Sequence, residues 1–263
     1  MRETQKYFVF TIDDNIRFFR ELTEWNCESL FVHPYLALFK KLHDSLGLKV
    51  QLNCFQQEED TRFQLSRMSD KYRAEWEANA SWLKLSFHSK KEFPIEPYKQ
   101  SDYAQLYNDC ITVNKEIERF AGNNSLAKTT TVHYCLATEN GVKALKSCGV
   151  KGLLGLYGTE ENPQDSYDCV FEESERIRQG LIVEKDGVYH AGIDVILNLY
   201  ETEEIVELLE RLNGRNIVKI MIHEQYFYPD YAYYQSDFQE KIEKVVRFLK
   251  SKGYESAFFE ELL

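Results

Sequence analysis

Four strand-like runs in this chain end in acidic or imidazole side chains, and that recurrence limits the folds it can adopt. Residues 7–12 (YFVFTI) lead into Asp13-Asp14, and 82–87 (WLKLSF) lead into His88, with Glu92 four residues on. Residues 129–132 lead into His133, and 217–222 (IVKIMI) lead into His223-Glu224. In parallel α/β folds the carboxyl ends of the strands share one face, and ligands bind there. Such a fold would gather three of the six histidines with two groups of carboxylates. That is the composition of a metal-assisted hydrolase site.

Helical patterns separate the runs. Pro34 opens a helix with apolar residues Leu36, Leu38, Phe39 and Leu42, and Gly47 closes it, the usual placing of Pro inside a helix start and Gly past its end. Residues 48–55 read as a second strand, Ser69 as the cap of a helix over 70–79, and Ser101 or Asp102 as the start of a long helix that ends near Gly122. A helix over 139–148 stops at Gly149 and a strand over 150–154 follows. Residues 155–200 are irregular apart from a hairpin about Asp186-Gly187, a strong turn dipeptide. Thr202 is placed to cap a helix over 203–213, and Ser236 with Gln239 fits a capping box for a last helix over 237–252. No Pro-, Ser- or Gly-rich linker interrupts the alternation, so residues 1–263 are expected to form one domain. Six or seven βα units favour a barrel or barrel-like parallel sheet. A dinucleotide fold is disfavoured because no GxGxxG follows the first strand.

Bulk properties remove other classes. The formal net charge of −11 argues against a nucleic-acid or anionic-membrane surface, both of which need clustered Lys and Arg. No window approaches the roughly 18 apolar residues of a membrane span. The N-terminal MRETQKYFVFTIDD lacks a signal-peptide core and leads straight into a strand, so a cytoplasmic location is expected. Six cysteines are scattered without a CxxC pair and read as small apolar side chains rather than a disulfide framework.

Each chemical candidate has a plainer alternative. Successive residues leaving a strand point in different directions, so one of Asp13 and Asp14 could bind metal while the other faces substrate; an Asp pair there also caps helices. His88 and Glu92 at i and i+4 share a face if the loop turns helically, which suits an N,O pair of metal ligands. A lone His after a strand is more often structural. His223, whose imidazole titrates near neutrality, is the natural general acid–base group. The aromatic stretch beyond it, with Tyr226, could stack on sugar faces or simply pack in the core. His133 is placed as a ligand or a substrate-orienting group, and Glu224 beside His223 as a substrate contact.

These residues resemble carbohydrate esterase family 4, the NodB-type polysaccharide deacetylases. TIDDN (11–15) is similar to that family's TFDDG, HSKKE (88–92) to its HSxxH, and IMIHEQ (220–225) to its late histidine motif. Order and spacing agree over roughly residues 5–255. The resemblance implies a distorted (β/α)7 barrel, with Asp13 as general base, Asp14 and His88 as metal ligands and His223 as general acid. Glu92 replaces the second metal histidine, so the third ligand would be Glu92 or His133. His133 stands where an RxPY segment is expected, so the arginine that orients the base is missing, and Asn15 replaces the motif glycine.

The implied chemistry is metal-dependent hydrolysis of a non-peptide C–N bond, foremost N-deacetylation of an acetamido sugar or oligosaccharide. Zinc is the expected ion, with cobalt, manganese and nickel as alternatives, and backbone N–H groups after His133 would help hold the oxyanion. Hydrolysis of a non-sugar amide, such as a cyclic imide or ureide, is a second reading. A carbohydrate-binding barrel without chemistry is a third, disfavoured because pure binding needs no acid–base pair.

Overall fold

A computed structural model describes residues 5–157 and 166–263; part of the irregular stretch after residue 155 lies outside them. The strands are β1 (Lys6–Asn15), β2 (Val50–Phe55), β3 (Leu83–Ser89), β4 (Thr129–Thr130), β5 (Gly152–Gly155), β6 (Val183–Lys185), β7 (Val188–Gly192), β8 (Val195–Ile196), β9 (Ile217–His223) and β10 (Tyr254–Ser256). The helices are α1 (Arg17–Trp25), α2 (Pro34–Leu46), α3 (Arg73–Asn79), α4 (Tyr103–Ala121), α5 (Glu139–Ser147), α6 (Ser174–Arg178), α7 (Ile205–Arg211) and α8 (Phe238–Ser251).

One sheet runs β3-β2-β1-β9-β8, with β10 also on β1, and the other runs β4-β5-β7-β6. All pairings are parallel except the β6–β7 hairpin at Asp186-Gly187. The two sheets meet along two seams. At one, Ala127 N donates to Leu85 O at 2.8 Å and the Thr130 hydroxyl donates to Phe87 O. At the other, the chain passes from β7 to β8, with Ile193 N on Gly155 O at 2.9 Å and Asp194 N on Lys219 O at 2.8 Å. Followed round, β1, β2, β3, β4, β5, β7 continuing into β8, and β9 give seven parallel staves. This is the expected distorted (β/α)7 barrel of the polysaccharide deacetylase type.

The interior is layered. At the amino end Val9, Leu154, Ala191 and Phe259 form a small apolar plug. Gly152 is required there, because a Cβ would lie 2.9 Å from the Phe259 ring and 3.0 Å from Thr129. Above the plug is a polar layer: Gln51 Nε2 donates to Asn53 Oδ1 at 2.8 Å and to Thr129 O at 2.9 Å, and the Ser86 hydroxyl also bonds Asn53. The main apolar core lies outside the staves, beneath the helices. Phe19, Trp76 and Phe120 meet there fully buried, with Phe19–Phe120 centroids 5.3 Å apart, each worth about 1.5–3 kcal/mol of burial.

Helix α1 was not anticipated, and it has no capping side chain of its own, since its N-cap is Ile16. Two expected caps need correction. Thr202 does not cap α7; its hydroxyl donates to Asp237 Oδ2 at 2.5 Å. The capping box at Ser236 and Gln239 does not form, and α8 starts from Asp237 without a side-chain cap. All six cysteines are free thiols, as expected.

Candidate metal centre

Two β-bulges aim the first side chains. Between Ile12 and Asn15 on β1, three steps oppose two on β2, and Asp14 takes a left-handed φ of 64°. Asp tolerates that conformation better than most residues. On β3, Phe87 pairs with Cys54 and Ser89 with Phe55, which leaves His88 as the extra residue. Bulges beside sites re-aim side chains that a regular pleat would send to alternate faces. Asp13, Asp14 and His88 consequently all line one cavity of about 240 Å³, with Glu92, His133, His223 and Tyr226. His133 arrives from a tight turn in which Tyr134 and Cys135 also have positive φ, 62° and 58°.

Asp14, His88 and His133 converge. Asp14 Oδ1 is 3.0 Å from His88 Nε2 and 3.3 Å from His133 Nδ1, and the two nitrogens are 3.1 Å apart. The far nitrogens are already committed: His88 Nδ1 donates to Thr131 O at 2.5 Å and His133 Nε2 to Glu92 O at 3.1 Å. Backbone carbonyls accept only, so each ring turns its lone pair toward the other two donors. Three such atoms belong together around a cation. Their spacing is close to the roughly 3.3 Å edge of a tetrahedron with bonds near 2.0 Å. Gln225 Nε2 donates to Asp14 Oδ2 at 2.7 Å and Phe55 packs under both imidazoles at about 5 Å. Among the described residues this is the one group of three or more such donors within ligating reach of one another.

Electrostatics separate the two aspartates. Burial pushes Asp14 up, but the His133 and His88 imidazoles against it, with the His223 charge, outweigh that when protonated and hold the carboxylate well below the usual range. Burial, then the Asp14 charge, pushes Asp13 well up. Asp13 Oδ1 accepts from Asn53 Nδ2 at 2.6 Å, which ties it to the polar layer. Burial lowers the His88 pKa, whereas at His133 it is outweighed by Asp14 and the pKa rises.

Two sequence assignments change. Glu92 does not join the three donors: its backbone carbonyl orients His133, while its carboxyl sits in the cavity wall, pushed up to about 7 by burial and the Asp14 charge. Of the two candidates for third ligand, His133 is the one in position. Glu224 is not placed for substrate, being 1% exposed. It accepts from the backbone N–H of Ile16 at 2.7 Å, Arg17 at 3.1 Å and Phe18 at 2.8 Å, supplying from a distance the cap α1 lacks. In the loop after His133, where backbone N–H groups were expected to help hold the oxyanion, the Cys135 N–H is bonded to Val132 O at 2.6 Å. Asn15 donates to Ile12 O and Asn53 O and accepts from Tyr35, so it locks the turn that follows the aspartates. His33, His43 and His190 do not line the cavity.

Sequence reasoning missed Asn53, Thr131, Asn198 and Gln225. The last closes the late histidine motif IMIHEQ and was legible there; the others carry no local signal.

No family model and no curated protein matches this chain. Solved structures do. The 4-α-glucanotransferase from Thermococcus litoralis aligns with TM-score 0.63 and 12% identity over 98% of this chain, which spans 40% of that one. A family 4 acetyl xylan esterase from Clostridium thermocellum in complex with a cobalt ion aligns at 0.54 and 15% identity, over 98% of this chain and 90% of its own. The Bc1960 peptidoglycan N-acetylglucosamine deacetylase aligns at 0.55 and 11%, over 98% and 87%. At these identities the likeness establishes the fold, that of the family 4 carbohydrate esterases, and not an activity.

Proposed function

We propose that this protein is a divalent-metal-dependent hydrolase that removes acetyl groups from a sugar or oligosaccharide, foremost from an acetamido position. The observation that carries the reading is the Asp14–His88–His133 group, whose donors lie within 3.0–3.3 Å with both imidazoles pre-set by backbone carbonyls. Asp14, His88 and His133 would hold the ion, zinc or cobalt being best suited to an N,N,O set. The cobalt ion in the esterase of the same fold supports this reading. When bound, a divalent ion supplies Lewis acidity that polarises an acyl carbonyl and acidifies water.

The chain's own residues do the rest. Asp13 Oδ2 lies 3.9 Å from His88 Nδ1 and has no hydrogen bond among the described residues, while Asn53 holds Oδ1. Asp13 therefore has one oxygen positioned to take a proton from the attacking water, and its raised pKa makes it a stronger base once ionised. His223, paired in register with Asp13 across β1 and β9, faces the same cavity and delivers a proton to the leaving amine or alcohol. Tyr134, Leu156 and Tyr226 wall the cavity.

An acetate-release screen tests this. Purified protein loaded with Zn²⁺ or Co²⁺ is offered N-acetylated and O-acetylated sugars and oligosaccharides, with a cyclic imide and a ureide as controls. Acetate from the sugars, abolished in Asp13→Ala, supports the reading. Turnover confined to the imide or ureide would move the assignment to the non-sugar amides.

A further inference from the structure

Helices α4 and α5 lie against each other on the outside of the barrel, and two contacts along them are close. At the first, a Cβ added to Gly141 on α5 would lie 2.9 Å from Leu106 Cδ2 on α4. At the second, Asn114 on α4 donates from Nδ2 to Cys110 Sγ at 3.7 Å and to the carbonyl of Cys148 at 3.4 Å, where α5 ends. The Cys148 thiol in turn lies 3.7 Å from Tyr107 O, one turn before Cys110 on α4. Two cysteines 38 positions apart in the chain thus meet between the helices, and their thiols hydrogen-bond to each other.

Access and acidity separate the two sulfurs. Cys110 is fully buried, whereas Cys148 is partly exposed. The hydrogen bond from Cys110 outweighs burial and lowers the Cys148 pKa; burial, then the same contact, pushes Cys110 well up. Cys169, the other partly exposed thiol, is pushed up to about 11 by burial. The thiolate is the form that reacts with oxidants. Cys148 is therefore the sulfur an oxidant meets first, and Cys110 is placed to react only with Cys148.

We propose that Cys148 and Cys110 form an oxidation site at which a hydroperoxide converts the two thiols into a disulfide that fastens α5 to α4. The Cys148 thiolate attacks the peroxide, forming an S–O bond as the O–O bond breaks, and the departing hydroxide takes up the proton that Cys148 lost. Cys110 sulfur then attacks the sulfenic sulfur of Cys148, the S–S bond forms, and the S–O bond breaks. The hydroxide released takes the Cys110 proton and leaves as water. Two thiols are oxidised to one disulfide, and hydrogen peroxide is reduced to two waters. The loop so closed, about 40 residues, contains β4, Thr131 and His133. The disulfide would tether the segment that carries the third donor of the metal group.

The test needs no turnover. Full-length protein, reduced and then freed of reductant, is treated with hydrogen peroxide and digested under non-reducing conditions for mass spectrometry. The expected result is a linked peptide joining Cys110 to Cys148, with four of the six thiols still free after denaturation. Tm should rise by about 4–7 °C and return on adding dithiothreitol. In Cys110→Ser, Cys148 should stop at the sulfenic acid, trapped by dimedone, with no gain in Tm. Cys148→Ser should leave Cys110 unmodified. Without peroxide, N-ethylmaleimide should label Cys148 at least about tenfold faster than Cys169. Oxidation that gives no Cys110–Cys148 peptide, or that joins either cysteine to a different one, overturns the proposal. A linked peptide with an unchanged or lower Tm overturns the fastening of α5. Should Cys110→Ser not fold, the wild-type peptide map and the labelling rates decide alone.

Discussion

Replacing Glu224 with Ala separates a structural carboxylate from a substrate contact. Its two oxygens serve four donors: Ile16 N and Arg17 N on Oε2, and Phe18 N and the Tyr228 hydroxyl, at 3.0 Å, on Oε1. Losing a helix cap costs about 0.5–2 kcal/mol, and each buried donor left unpaired about 1–3 kcal/mol. Water entering the space left by the side chain recovers part of that, so a net loss of about 2–4 kcal/mol is expected at pH 5–6. Across 263 residues the unfolding entropy is about 0.55 kcal/mol per degree, so Tm should drop by about 4–7 °C. Burial pushes the Glu224 pKa up to about 7 against its hydrogen bonds. A carboxyl raised on folding contributes stability that is complete below its unfolded pKa, near 4.5, and is lost as pH rises through about 7. The difference between wild type and Glu224→Ala should therefore narrow between pH 5 and pH 8. Scanning calorimetry across that range measures it, alongside one metal titration. An unchanged Tm with lost turnover would refute the structural assignment and return Glu224 to the substrate.

Other outcomes follow from the same geometry. Asp14→Ala or His133→Ala should abolish stoichiometric Zn²⁺ binding, whereas Glu92→Gln should weaken it less than about tenfold, as isothermal titration would read. Asp13→Asn should retain the ion yet lower kcat by about 10²–10⁴-fold, and equal metal loss in Asp13→Asn and Asp14→Asn would contradict that division. Metal affinity should fall as pH drops through the His133 pKa, which Asp14 raises above the ordinary imidazole range, by about tenfold per unit once the ring takes up a proton. Burial holds His190 down to about 4, so it opposes protonation on folding. Its contribution is full above about 6.5 and is lost as pH falls toward 4, about 3 kcal/mol in all. His190→Phe should reduce that acid sensitivity in urea unfolding curves.

Much of this was legible in the sequence, because it rested on strand ends. Alternation of strand and helix implied the barrel, and the four strand-end motifs placed Asp13, Asp14, His88, His133 and His223 around one cavity. What was hidden depended on partners far along the chain. Helix α1 escaped notice because no capping residue stands at Ile16, and the cap comes from Glu224, more than 200 residues away. Spacing favoured Glu92 beside His88 because i, i+4 on a helix shares a face, but the segment after β3 is an irregular turn and not a helix, so only the Glu92 carbonyl reaches His133. Thr202 and Ser236 each looked like a helix cap, but the Thr202 hydroxyl instead bonds Asp237, from which α8 starts. The bulges at Asp13-Asp14 and His88 are register effects between strands, invisible in either strand alone.

The central claim is that Asp14, His88 and His133 bind one divalent ion in a nitrogen-rich, low-coordinate site. Titrating Co²⁺ into chelator-stripped protein and recording the visible d–d spectrum tests it most directly. The account predicts saturation at about one equivalent with the intense bands of four- or five-coordinate cobalt, lost in His133→Ala and displaced by Zn²⁺. Weak six-coordinate absorption without saturation, or bands that survive His133→Ala, would contradict it.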